Sequence, residues 1–315
     1  MRVDLVGDIG ATNARFALVN GDGTLSRSAD LICRDHPTIA AAIKAYLAAM
    51  EGAAPARAVL AVATTPLGDR VTFTNNPWSF SVSELRQRLG IEHLRIINDF
   101  HANALALPHL TADDVHKVGG GEPIEGAPMG VLGPGSGLGV SAAIRVGDRY
   151  EAIAGEGGHV TMAPADARES AVLDLLRARF GHVSAERVLS GPGLVNLYCA
   201  LCEIDGKQAA DLSAAEITQA GARGECSYAG TAVEMLCAML GTVAGNLALT
   251  LGARGGIYIA GGIVPKLGEA FARSKFRERF EDKGRFRAYL ATIPTLVITR
   301  PHAALIGAAQ LLGKR

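Results

Sequence analysis

The segment GDIGATNARFALV (Gly7–Val19) decides how the chain is read. One apolar run, Val3–Ile9, enters a turn at Gly10, and a second run leaves it at Ala14. The turn therefore passes from strand to strand. Dinucleotide-binding glycine patterns pass from strand into helix, and G-x-x-x-x-G-K-[ST] is absent from the chain. Glycine tolerates positive φ and lets backbone N–H groups approach an anion closely. Thr12 and Asn13 add side-chain donors beside Gly10 and Ala11. Asp8 sits at the strand end, where it would repel a phosphate unless a cation or water lay between them. Mg²⁺, which keeps several waters, meets that need. The plainer readings are a tight hairpin for the turn and an Asx interaction for Asp8.

Two further glycine turns lie downstream. GPGSGLGVS (Gly133–Ser141) again joins two strand-like runs, PMGVLGPG and LGVSAAIRV, and carries Ser136 as a donor between Gly135 and Gly137. IAGGIVP (Ile259–Pro265) closes a short buried strand with Gly261 and Gly262. Around the first turn the order is three strands, a helix from PTIAAAIKAYLAAM with a proline start, the strand RAVLAVAT, the helix SVSELRQRLG, and the strand LRIIN. After Pro108 the same grammar restarts with three strands and then helices. Alternation of this kind gives an α/β layer architecture. Two α/β domains with a cleft between them are expected: residues 1–109 joined by 299–315, and residues 110–298.

The bulk numbers exclude several classes of partner. The 315 residues balance 31 basic against 31 acidic side chains, and aromatics are 5%. No basic patch for nucleic acid or an anionic membrane is expected, nor a stacking platform for single strands. No secretory signal precedes Val3, and the apolar segments are broken by Gly or polar residues, so neither export nor a membrane span is expected. Five cysteines without a signal read as reduced thiols of the cytoplasm. Cys199 and Cys202 form a C-x-x-C with no second pair or His partner nearby, which reads as buried thiols rather than a metal or redox motif.

IINDFHANALALP (Ile96–Pro108) passes from strand to helix at Asn98 and Asp99. Both residue types cap helix N-termini well. A carboxylate at the end of a buried strand can also take a proton.

DIGATNARFAL, GPGSGLG and AGGIVP together resemble the phosphate-1, phosphate-2 and adenosine motifs of the actin/hexokinase/Hsp70 ATPase superfamily. More narrowly, INDF, GEGGH, GHVSAERVLSGPGLVNLY, NPWSFS, GNLALTLG and FEDKGRF resemble bacterial glucokinases of the proteobacterial type, over nearly the whole chain. The chain departs from that pattern at Ala11, where the family often has Gly, and at Gly133–Gly137, where Pro134 and Ser136 replace Ala and Thr. GEGGHVTMAPAD lacks the cysteines of the related ROK kinases and repressors, so no structural zinc is expected.

The resemblance implies a two-domain, actin-like ATPase (ribonuclease H-like) fold. It implies ATP-dependent phosphorylation of D-glucose at O6 with Mg²⁺, in a homodimer. It assigns sugar contact to Asn98, Asp99, Glu156, His159 and Glu186. It assigns nucleotide contact to Asp8, Gly10, Ala11, Thr12, Asn13, Gly135, Ser136, Gly137, Gly261 and Gly262. Carboxylates, an amide and an imidazole satisfy hydroxyls that both donate and accept. Phosphoryl transfer needs positioning, charge stabilisation and a carboxylate for the hydroxyl proton, which makes Asp99 the expected base. No dedicated metal cage is expected, Mg²⁺ arriving on the ATP phosphates with Asp8 as its protein contact. Three rivals remain: a kinase for another hexose, a sugar sensor without catalysis, and an actin-type filament. The sensor reading leaves Asp99 and the turns unexplained, and the filament leaves GEGGH unexplained.

Overall fold

The computed structural model describes residues 3–73, 76 and 78–312. They form two compact units. The first comprises Met1–Asp113, Val146–Ala154 and Arg300–Arg315. It holds β1 (Asp4–Ile9), β2 (Asn13–Val19), β3 (Leu25–Ile32), α1 (Ile39–Ala49), β4 (Arg57–Val62), β5 (Arg70–Thr72), β6 (Ser79–Ser81), α2 (Val82–Leu89), β7 (His93–Asn98) and α3 (Asp99–Ala106). Its sheet runs β3-β2-β1-β4-β7. β1, β2 and β3 pair antiparallel, whereas β1, β4 and β7 pair parallel.

The strand sequences follow from this burial. Successive strand side chains point to opposite faces. Leu5 and Ile9 of β1, with Ala58, Leu60 and Val62 of β4, join Ile39, Ile43 and Tyr46 of α1 on one face. Val6, Val59 and Ala61 join Ala102 and Leu105 of α3 on the other. Both faces are covered, so these strands read as continuous apolar runs rather than alternating ones.

Helices α1 and α2 of this unit are capped from within their own sequence. Thr38 accepts from Ala41 N–H and opens α1 at Ile39, so Pro37, expected to start the helix, lies just before the cap instead. Ser81 accepts from Glu84 N–H at α2, and Gly90 ends that helix at φ 66°.

The second unit comprises Asp114–Arg145 and Gly155–Thr299. In chain order its elements, together with strand β11, which belongs to the first unit, are β8 (Val115–Lys117), β9 (Met129–Pro134), β10 (Leu138–Val146), β11 (Arg149–Ala154), α4 (Ala167–Phe180), α5 (Gly191–Ile204), α6 (Ala214–Ala222), α7 (Ser227–Leu251), β12 (Ile257–Ile259), α8 (Val264–Leu267), α9 (Glu269–Arg273), α10 (Phe276–Glu281), α11 (Arg287–Ala291) and β13 (Thr295–Ile298). The sheet order is β11-β10-β9-β12-β13-β8. β9 pairs antiparallel with β10 and parallel with β12, which is parallel to β13. β11-β10-β9-β12-β13 thus repeats the order of the first sheet, as the repeated grammar of the sequence implied.

The last helix, α12 (Ala303–Ala309), belongs to the first unit and packs against α3. A Cβ at Gly307 would lie 1.8 Å from the Ala102 carbonyl oxygen, so only glycine permits this approach. α7 is long and apolar enough by composition to cross a membrane, but most of that stretch is buried. Leu236, Met239, Leu240 and Ala244 lie in the core with Phe276 and Phe280 of α10, which accounts for its apolarity. The five cysteines are free thiols, and Cys202 of the C-x-x-C is buried.

Candidate active site

In the first unit, Asp8 lies opposite Arg15 across the β1–β2 hairpin. Arg15 Nη1 donates to Asp8 Oδ2 at 3.0 Å, with the side chains 33% and 14% exposed. Burial pushes the Asp8 carboxyl above its ordinary range, and Arg15 pulls against that shift. The Gly10–Asn13 turn is closed by Gly10 N–H donating to Asn13 O at 2.9 Å. It is braced from outside: Asn76 Nδ2 donates to Gly10 O at 3.1 Å, and Cys33 N–H to Thr12 O at 2.8 Å. Asn76 belongs to the NPWSFS motif, whose Pro77 lies outside the described residues. Thr12 is exposed, and Ala11 and Asn13 are half-buried.

At the end of β7 the two readings of INDF separate. Asn98 is the N-cap of α3: its Oδ1 accepts from Phe100 N–H at 2.8 Å and His101 N–H at 3.2 Å. Its Nδ2 donates to Thr64 O at 3.4 Å. An amide carries two donors and two acceptor lone pairs, so one Asn98 N–H is left over from these bonds. Asp99 is the first residue of the helix and half-buried, with Phe100 N–H at 2.9 Å from its Oδ1. Capping is thus mainly the work of Asn98.

In the second unit, Gly135 N–H donates to Gly137 O at 2.8 Å, closing the second turn. Gly191 N–H, at the start of α5, donates to Gly135 O at 2.8 Å. Gly261, at φ 82°, packs so tightly on this strand end that a Cβ would lie 2.5 Å from Pro134 O. Ile263 N–H donates to Pro134 O at 3.3 Å. The glycine turns at 135–137 and 261–262 are therefore neighbours. Ser136, Gly261 and Gly262 are exposed.

Glu156 precedes a 3₁₀ turn, Gly157–His159, and His159 ends it, with His159 Nε2 and Glu156 Oε2 4.0 Å apart and both side chains more than half exposed. Gly158 approaches β10 so closely that a Cβ would lie 2.0 Å from Leu138 O. Glu186 sits in a second 3₁₀ turn, Ala185–Arg187, and its Oε2 accepts from Leu138 N–H at 2.8 Å. The two turns are stitched together by Ala185 N–H donating to Val160 O at 2.9 Å and by the Thr161–Ser184 bridge. Glu156, His159, Glu186 and the second glycine turn are thus gathered in one unit, and Asp8, the first turn, Asn98 and Asp99 in the other.

Sequence reading missed Arg15, Asn76 and Leu138. Arg15 was findable, because a hairpin about Gly10–Asn13 sets it opposite Asp8. Asn76 and Leu138 act through long-range contacts that leave no local signal. Among the described residues, no group of three or more His, Cys, Asp or Glu side chains could hold a metal ion.

A family model described as Glucokinase matches residues 5–315. The glucokinase of Paramagnetospirillum magneticum is 53% identical over 310 residues, covering 98% of this chain and 97% of that one. Glucokinase from an Antarctic psychrotroph superposes over 100% of both chains with a TM-score of 0.87 at 36% identity. Glucokinase from Balamuthia mandrillaris, solved with glucose, gives a TM-score of 0.80 over 100% of this chain and 94% of that one at 21% identity. The fold is that of the actin-like ATPases, with one glycine turn at the same point of each of two equally ordered sheets.

Proposed function

The chain belongs to the glucokinase family, and from that premise we propose that it transfers the γ-phosphoryl group of ATP to the 6-hydroxyl of D-glucose. The products are glucose 6-phosphate and ADP, the first step of glycolysis. The observation that carries this reading is 53% identity to a glucokinase across 98% of the chain.

Each residue takes a role its surroundings permit. Asp99 accepts the proton of the 6-hydroxyl as that oxygen forms its bond to the γ-phosphorus. The bond from γ-phosphorus to the bridging oxygen breaks, and ADP leaves with that electron pair. The leftover N–H of Asn98 orients the sugar. Glu156, His159 and Glu186 satisfy its other hydroxyls, and a site built on such bonds rejects analogues that lack them. Gly10, Ala11, Thr12 and Asn13 hold phosphate oxygens, as do Gly135, Ser136 and Gly137. Gly261 and Gly262 lie against adenosine.

Asp8 fits a Mg²⁺ contact: it is a largely buried carboxylate beside a phosphate turn, held by a single arginine. When bound, Mg²⁺ neutralises charge on the phosphates. The free thiols favour the cytoplasm, and the family resemblance favours a homodimer.

The test is a coupled assay with MgATP and a panel of hexoses, following ADP and sugar phosphate together. Turnover on glucose above the other hexoses is expected. Glucose binding by calorimetry without ADP release would overturn the kinase reading.

A further inference from the structure

Glu186 is placed to do more than touch a sugar. Its Oε2 accepts the backbone N–H of Leu138, the residue directly after the Gly135–Gly137 turn, at 2.8 Å. The same oxygen lies so close to Gly137 that a Cβ there would sit 2.4 Å from it. Gly137 does not adopt positive φ, so its backbone would accept alanine, and the only group that would have to give way is the Glu186 carboxylate. The other end of the turn is tied to the same stretch of chain. Gly191 N–H donates to Gly135 O, and Ser190 Oγ donates to Glu186 O at 2.8 Å. Both ends of the turn therefore hang from the segment Glu186–Gly191.

A charge-assisted bond to a backbone N–H is among the stronger hydrogen bonds. We propose that Glu186 is a positioning residue for the nucleotide: one carboxylate oxygen fixes the 135–137 turn, which leaves the other for a sugar hydroxyl. Sugar and nucleotide affinity are then coupled through one side chain. The proposal rests on the assignment of that turn to phosphate, made above.

The experiment measures MgADP affinity by calorimetry in sugar-free protein, for wild type, Glu186→Gln, Glu186→Ala, Gly137→Ala and the double variant Gly137→Ala/Glu186→Ala. Amide exchange at Leu138 is followed in the ligand-free proteins. Glutamine keeps an acceptor for Leu138 N–H, so Glu186→Gln is expected to lose glucose affinity while holding MgADP within about twofold. Glu186→Ala is expected to lose about tenfold in MgADP affinity, with faster exchange at Leu138. Gly137→Ala is expected to weaken MgADP binding in wild type and to add nothing in the Glu186→Ala background.

MgADP affinity unchanged in Glu186→Ala, with Leu138 exchange unchanged, would overturn the proposal and leave Glu186 a sugar contact. Wild type that binds no MgADP would instead overturn the phosphate assignment, and this inference with it. Additive effects of Gly137→Ala and Glu186→Ala would remove the direct link between the two residues.

Discussion

Arg15 and Asp8 face each other across the hairpin that carries the first glycine turn, 3.0 Å apart between Nη1 and Oδ2. The carboxylate is the more buried partner, and burial raises its pKa against the pull of the arginine. The guanidinium thus keeps a negative charge where the surroundings disfavour one.

Arg15→Met is therefore expected to cost about 1–2 kcal/mol at neutral pH, less than a fully buried pair because Arg15 is part-exposed. The sign follows from Asp8. Its charged form carries the penalty, so the loss is present at neutral pH and fades as pH falls through the raised Asp8 pKa. Urea unfolding at pH 8 and at a series of lower pH values down to the ordinary carboxylate range checks this. A loss of equal size across the whole series would assign the effect to packing of the guanidinium.

Asp99→Asn is expected to lower kcat by about 10²–10⁴ with glucose affinity within threefold. Stopped assays with calorimetry on the same sample check it. Because Asn98 carries most of the capping, thermal stability should change little. An unaltered kcat would remove Asp99 from the role of base.

Arg279 and Glu169 form an ion pair at 2.7 Å with the side chains 11% and 2% exposed. Arg279 also donates to Thr242 Oγ1 at 2.8 Å, and Glu169 Oε2 accepts Ala165 N–H at 2.7 Å. Arg279→Met strands a buried carboxylate, and a loss of about 3–5 kcal/mol is expected. Denaturant unfolding measures it; a loss below about 1 kcal/mol would mean that water reaches Glu169.

Burial pushes the Tyr46 hydroxyl up to about 12, and that hydroxyl donates to Arg27 O at 2.9 Å. In the unfolded chain it ionises near the ordinary value of about 10. The contribution of Tyr46 to stability is full below that value and is lost as pH rises from it toward 12. Tyr46→Phe should remove this alkaline loss while costing a hydrogen bond at neutral pH. Unfolding at pH 8 and pH 11 separates the two, and an unchanged alkaline loss would point to other groups.

Much of this was legible because it is local. Strand to glycine turn to strand is written in Gly7–Val19 and again in Met129–Val146, and both appear as hairpins. The caps Ser81 and Gly90 of α2 are likewise adjacent in sequence. Short pieces left no period to read: β5, β6 and β8 have three residues each, and α8–α11 crowd into residues 264–291. Residues 146–154 read as part of the second unit yet group with the first, because grouping depends on packing and not on order. At Asn98–Asp99 residue type alone could not choose a cap; the extended backbone of Asn98 chose it. The Glu186–Leu138 bond spans 48 positions and has no signature in either segment.

The docking of α12 on α3 has a consequence for biosynthesis. The helix that begins with Asp99 is made early, but the surface that covers it, Leu305 and Ala308 of α12, is made only after residues 114–299 have been translated. On the ribosome the first unit must wait, its apolar face open, while the second unit has everything it needs to fold. The order of maturation should therefore run against the order of synthesis, with Asp99 set in place last.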